Sequence, residues 1–150
     1  MPLRPLILRY LMVMMACIVA LIAMDLIAFH LFGYDLGSGT TILTTIVPAM
    51  DAGQRFARET MRGPEPGESW RISRVLWLCG MGLSGFLAAA IIALAGVDLS
   101  PLFEVVGVRL IVMIFGVAAL FTLLLTRWFF AIGARGEIKR QQKTAARHMQ

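Results

Sequence analysis

The chain reads as an all-α, polytopic membrane protein: four transmembrane helices in an antiparallel bundle, with both termini cytoplasmic. Three observations predict this. The 150 residues are 59% hydrophobic and only 15% charged, with a mean hydropathy of +0.79, far from the balance of a soluble domain. Apolar stretches long enough to cross ~30 Å of hydrocarbon recur along the chain. All Lys and Arg residues except Arg109 fall in three patches: Arg4 and Arg9; Arg55, Arg58, Arg62, Arg71 and Arg74; and Arg127, Arg135, Lys139, Arg140, Lys143 and Arg147. Between consecutive patches the chain has room to cross out and back, so the positive-inside bias places all three on one side.

Little sequence remains outside the spans to bury a separate soluble core, so residues 1–150 are expected to form a single membrane domain. The net charge of +5 and pI near 10.0 come from cations that flank apolar segments. The expected partners are therefore the lipid bilayer and its anionic headgroups, met at the basic loop and tail, and not nucleic acid. Cys17 and Cys79 lie inside apolar runs with no CxxC spacing and read as small buried residues, outside any disulfide framework.

The first span covers about residues 10–32. Arg4 and Arg9 ahead of an apolar run have the look of a signal peptide, and Met15-Ala16-Cys17 of a lipoprotein box. Hydrophobicity continues well past Cys17 with no small-x-small cleavage site, so the segment is expected to persist as a helix. The second span, about 39–57, is the least apolar, holding Thr40, Thr41, Thr44, Thr45, Pro48, Asp51 and Gln54. Crossing parity requires it, and an Asp51–Arg55 pair at i, i+4 is expected to support it. A cytoplasmic loop over about 58–71 follows, marked by Pro64, Pro66, Gly63 and Gly67.

The third span, about 72–97, carries Gly82, Gly85, Ala89 and Ala93 on one helix face, the small-residue pattern that brings helices together in lipid. Packing inside the bundle is the expected use of that face, with a homo-oligomer as the other. Ser100-Pro101 caps and opens a fourth span, about 102–130. The tail 133–150 is basic, and Gly133 and Gly136 weaken any helix through it. Tyr10, Trp70 and Trp128 are expected at the inner boundary and Tyr34 at the outer.

Ionisable groups at membrane depth are costly, which makes them the places to look for chemistry. Asp25 stands roughly 22 Å above the inner boundary at helical rise, level with Thr40 and Thr41 on the second span. Those hydroxyls, with Thr44 a turn below, are expected to face the carboxylate. Arg109 lies near the same level on the fourth span and either pairs with Asp25 or snorkels to headgroups. His30 follows Asp25 at i, i+5, off its helix face, and reads as an interfacial histidine. Thr122 and Thr126 are expected to bond the i−4 carbonyls of their own helix. Glu59, Glu65 and Glu68 sit among arginines and read as a solvated, salt-bridged loop. No Walker loop, GxGxxG, GxSxG or HExxH occurs, so no catalytic residue, metal or cofactor is expected and the chain reads as non-enzymatic.

Ile46-Val47-Pro48-Ala49, Gly53-Gln54-Arg55-Phe56, Arg62-Gly63-Pro64, Glu68 and Trp70-Arg71 together resemble the ABZJ-type family of small bacterial inner-membrane proteins. The motif region covers about a quarter of the chain. The resemblance implies a multi-pass, four-helix protein of the bacterial inner (cytoplasmic) membrane and brings no activity, ligand or catalytic residue. From the residues themselves, Pro48 and Gly53 read as packing positions: one frees a backbone carbonyl, the other admits a close neighbour. The functional expectation is an accessory or self-assembling subunit that acts by packing against itself or a membrane-complex partner. The alternative is a small oligomeric proton- or ion-coupled transporter using Asp25.

Overall fold

A computed structural model describes residues 3–33, 43–96 and 107–148. The architecture is all-α: α1 Leu3–Phe32, α2 Leu43–Thr60, α3 Pro66–Ala95 and α4 Val108–His148. Helices α1, α3 and α4 are long and apolar enough to cross a membrane. Helix α2 differs in kind, with Asp51, Arg55, Arg58 and Glu59 within its 18 residues. Residues 39–42 of the expected second span, Tyr34, and the Ser100-Pro101 cap lie outside the described residues.

Several boundaries correct the sequence reading. Helix α1 begins at Leu3, well before residue 10, because Pro5 falls in the first turn, where no intrahelical N–H bond is lost. The loop expected over 58–71 shrinks to residues 61–65. On its N-terminal side, α2 runs on to Thr60, whose hydroxyl donates to the Phe56 carbonyl at 2.7 Å. Met61 then turns the chain in the left-handed region (φ 53°), its N–H closing on the Ala57 carbonyl at 2.9 Å. On the other side, Pro66 opens α3 at its first position, and the Glu65 N–H donates to the Glu68 carboxylate at 3.3 Å. Prolines and glycines that signal a long loop thus serve largely as a helix start.

Helix α4 is continuous through Gly133 and Gly136 to His148, against the expectation that these glycines weaken the tail. Gly133 is held by packing. A Cβ there would strike the Met50 carbonyl of α2 and stand 2.9 Å from Met50 Cα. The reciprocal glycine is Gly53 on α2, where a Cβ would strike the Phe130 carbonyl and lie 3.0 Å from the Ala134 nitrogen. Two helix backbones therefore touch with no side chain between them. The buried face of α2 suits that approach: Pro48, Ala49, Ala52, Gly53, Phe56 and Ala57 recur at helical period and all but two are small. Phe56 closes the contact against Phe130, with ring centroids 5.8 Å apart and planes tilted by 57°.

Around this pair the core gathers a second seam. Leu6, Tyr10 and Met14 form an i, i+4, i+8 stripe on α1, and Ile72, Leu76 and Gly80 its counterpart on α3; all are buried. A Cβ on Gly80 would meet the Tyr10 hydroxyl at 3.1 Å and the Met14 sulfur at 3.5 Å. Tyr10 is accordingly an interhelical core residue, because Gly80 leaves the space its ring fills.

The core thus occupies one end of the molecule, where the basic patches lie. The far halves of α1, α3 and α4 present bare apolar side chains such as Leu31, Phe86, Leu94, Val112 and Phe115. The small face of α3 belongs to this uncovered region. Gly82, Gly85, Ala89 and Ala93 are all exposed, with nothing within 4 Å of a Cβ at either glycine. Their expected role in packing within the chain is therefore corrected: α3 meets its neighbours through Ile72, Leu76 and Gly80 on its first turns.

The glycines fall into two classes with opposite mutational signatures. Gly53→Ala and Gly133→Ala force backbones apart and are expected to cost about 1–3 kcal/mol each, as overpacked core positions do. Gly136→Ala, facing open space in α4, is expected to raise stability by roughly 0.5–1 kcal/mol through helix propensity alone. Unfolding of the detergent-solubilised protein, followed by circular dichroism, reads both signs.

Candidate functional site

Polar chemistry concentrates at the packed end, built on the face of α2 opposite its small residues. Asp51 accepts from the Arg9 guanidinium of α1 through two bonds, Nε to Oδ2 at 2.9 Å and Nη2 to Oδ1 at 3.2 Å. Two turns further, Arg58 donates to Glu137 of α4 in the same two-pronged manner, at 2.8 and 3.2 Å. Planar guanidinium meeting planar carboxylate fixes orientation as well as charge. Helix α2 is thereby pinned to α1 on one side and to α4 on the other. Glu137 is the more enclosed partner, its side chain only 10% exposed.

Arg55 pairs within α2 with Glu59 at 2.7 Å, so the expected Asp51–Arg55 pair is replaced. Asp51 has a better-placed partner across the helix gap, and Glu59 is one turn on from Arg55. In the loop, Arg62 grips Glu68 at 2.7 and 2.8 Å, the salt-bridged arrangement expected there. The hydrogen bond to Glu68 and then its charge hold the Arg62 pKa above its ordinary value. Glu137 does the same for Arg58. Arg9, Asp51, Gln54, Arg55, Arg58 and Glu59 line an open cleft of about 320 Å³. Its acids are each answered by an arginine, which suits it to holding helices in register; proton transfer would need a carboxyl free of such a partner.

A second cleft, about 470 Å³, opens between the loop and α4. Gly63, Pro64, Pro66 and Ser69 form one wall; Leu124, Arg127, Trp128, Ile132 and Arg135 form the other. The Arg127 guanidinium lies 4.2 Å from the centroid of the Trp70 ring, a cation–π contact that orients it. Two turns further along α3, the Trp77 indole N–H donates to the Thr122 hydroxyl at 3.0 Å. The Thr122 hydroxyl donates to the Ala119 carbonyl at 3.0 Å, and Thr126 donates to the Thr122 carbonyl at 2.8 Å. Both threonines bond their own helix as expected, but only Thr126 reaches the i−4 carbonyl.

The remaining sequence candidates lie elsewhere. Asp25 is half-buried on α1 and Arg109 is exposed at the second residue of α4. His30 is exposed in the last turn of α1, beside an open apolar patch of Leu26, Ile27 and Leu31. Thr44 is half-buried near the start of α2, whereas Thr40 and Thr41 lie outside the described residues. Pro48 and Gly53 are both buried in α2. Cys17 and Cys79 are free thiols. Among the described residues, no three His, Cys, Asp or Glu side chains gather closely enough to hold a metal ion.

The chain matches no protein-family model, no curated protein and no solved structure.

Sequence reasoning did not find the Arg9–Asp51 and Arg58–Glu137 clamps. A signal for them exists: Asp51 and Arg58 are seven residues apart, two full turns, so they share a face of α2 opposite Ala49, Ala52 and Gly53. What periodicity cannot supply is the identity of the distant partners.

The clamps make a reciprocal prediction. Arg58→Glu sets two carboxylates together and is expected to lower the thermal unfolding midpoint in detergent, and Glu137→Arg likewise sets two guanidiniums together. The double exchange is expected to recover most of the loss, a coupling that two independent surface charges would not show.

Proposed function

We propose that the chain is a non-enzymatic, multi-pass bundle of a bacterial inner membrane that works by packing, as an accessory or self-assembling subunit. The observation that carries this reading is the uneven cover of its apolar helices. Side chains are buried at the basic end, while the far halves of α1, α3 and α4 are left bare. Lipid or another membrane helix must cover such surface, since each exposed apolar group in water is unfavourable.

Four crossings with both termini cytoplasmic are favoured by the connectivity of the core. Leu6 and Tyr10 near the start of α1, Ile72 and Leu76 near the start of α3, and Phe130 midway along α4 share one cluster. If α1 leaves that end and α3 leaves it again, the chain returns somewhere between residues 33 and 65, and α2 belongs to that return. Helices α3 and α4 run antiparallel in this reading: Trp70 meets Arg127 and Trp77 meets Thr122, so numbering rises along one as it falls along the other. Reporter fusions after residues 36, 63, 99 and 150 should read outside, inside, outside and inside. An outside signal at residue 63 would remove the topology.

The natural face for self-assembly is the exposed stripe Gly82, Gly85, Ala89 and Ala93, where a second backbone can approach closely. The resemblance to the ABZJ-type family, which rests on the motif residues alone, belongs to this proposal and assigns no ligand. Ala89→Cys, in a background with Cys17 and Cys79 replaced by Ser, is expected to give a disulfide-linked dimer in native membranes. Gly82→Leu with Gly85→Leu should abolish that dimer without lowering the monomer's abundance; a persistent dimer would place the interface elsewhere. Asp25→Asn is expected to leave assembly unchanged, and loss of a proton-coupled flux in that variant would favour a transporter instead.

A further inference from the structure

We propose that the cleft between the 61–65 loop and α4 binds the headgroup of one anionic phospholipid, with Arg127 and Arg135 as the phosphate-binding pair. The inference rests on the membrane placement proposed above and assigns a specific lipid site within it.

Arg9, Arg55, Arg58 and Arg62 each hold a carboxylate at 2.9 Å or less. Among the described residues, Arg127 and Arg135 hold none within 4.0 Å. Both line the same cleft, two turns apart on one face of α4. In the 61–65 loop, Arg62 is answered by Glu68 at 2.7 Å and by Glu65 at 4.0 Å. The charge left over for an external anion at this cleft comes from α4.

The apolar surround selects a lipid over a free phosphate. Leu124, Trp128 and Ile132 lie on the same stripe of α4 at steps of four, and Trp128 is 63% exposed. Leu124 and Trp128 continue toward the bare apolar half of the helix, while Arg135 lies toward the basic tail. An amphiphile with its phosphate at Arg127 and Arg135 therefore has an acyl path along Leu124, and an indole of the kind that sits at headgroup level. Arg127 is pre-oriented by Trp70 at 4.2 Å, which leaves a guanidinium edge available to a phosphodiester.

The test uses the full-length protein in detergent micelles and native mass spectrometry with phosphatidylglycerol, alongside phosphatidylcholine. Wild type is expected to retain one phosphatidylglycerol and to discriminate against phosphatidylcholine. Arg127→Gln with Arg135→Gln should weaken that retention roughly thirty-fold, the loss expected for two surface cations facing an anionic lipid. Lys143→Gln with Arg147→Gln removes equal charge from the tail and should leave it intact. Retention unchanged in the first variant, or lost equally in the second, overturns the site. Displacement of the lipid by millimolar inorganic phosphate also overturns it, because the cleft would then be a simple anion site. Arg127→Lys with Arg135→Lys and helical content by circular dichroism guard against misfolding. Failure of the membrane reading itself would appear separately, as extraction of wild type from native membranes by alkaline carbonate.

Discussion

The backbone contact between α2 and α4 at Gly53 and Gly133 is the constraint on which the rest of the molecule depends. In lipid there is no hydrophobic effect to draw helices together, so association relies on close dispersion contact and on polar groups that satisfy one another. The two glycines supply the first by letting each helix rest on the other's main chain. That proximity makes the second possible: with the axes this close, Arg58 reaches Glu137 and Phe56 reaches Phe130. A Cβ at either glycine would push both partners away together. The charged clamp is thus a consequence of the steric one, and it fixes the rotation that glycine packing leaves free.

From this contact follows the polarised distribution of packing. Helix α2 is short and carries its charge along one side, so it brings buried surface only to the basic end of the longer helices. Beyond its reach, α1, α3 and α4 have little to pack against within the described residues, and their apolar side chains face outward. A soluble protein could not tolerate such a surface; a bilayer supplies the missing neighbour. The same asymmetry explains why the small-residue face of α3 is uncovered. Gly80 lies within the packed zone and accepts Tyr10, whereas Gly82 and Gly85 turn away from it.

Much of this was legible in the sequence, and the rest was hidden for identifiable reasons. Composition and apolar runs carry the helical class and the three long helices, because both are local quantities summed over many residues. The second helix was harder: parity demanded a crossing there, and Leu43–Thr60 is a helix but not one of the three long and apolar enough to cross, its charges serving interhelical pairing that no local pattern specifies. Asp51 shows the difficulty, since Arg55 at i, i+4 is the obvious partner by spacing while Arg9, far off in sequence, is the one it takes. Gly133 is the converse case. By propensity it weakens a helix; by position it permits direct backbone contact with α2. Pro66 likewise reads as a breaker and acts as a first helical residue. Each miss falls where a residue's tertiary neighbour outweighs its intrinsic preference.

The arginines show how one compositional signal divides into separate physical roles. Taken together, the three basic patches indicate a side of the membrane, because any Lys or Arg contributes to that bias equally. In the folded chain they are no longer equivalent. Arg9 and Arg58 tie α2 to its neighbours, Arg55 and Arg62 answer acids within their own helix and loop, and Arg127 rests on an indole with no carboxylate at hand. An arginine held by a carboxylate offers little to an outside anion, while one oriented by an aromatic ring keeps its charge available. In the proposed topology orientation is set by the number of cations at this end, and in the proposed lipid site recognition is set by which of them the fold leaves unanswered. That separation lets loop arginines be satisfied internally without weakening the bias that orients the chain, since the positive-inside preference depends on Lys and Arg and little on the acids beside them.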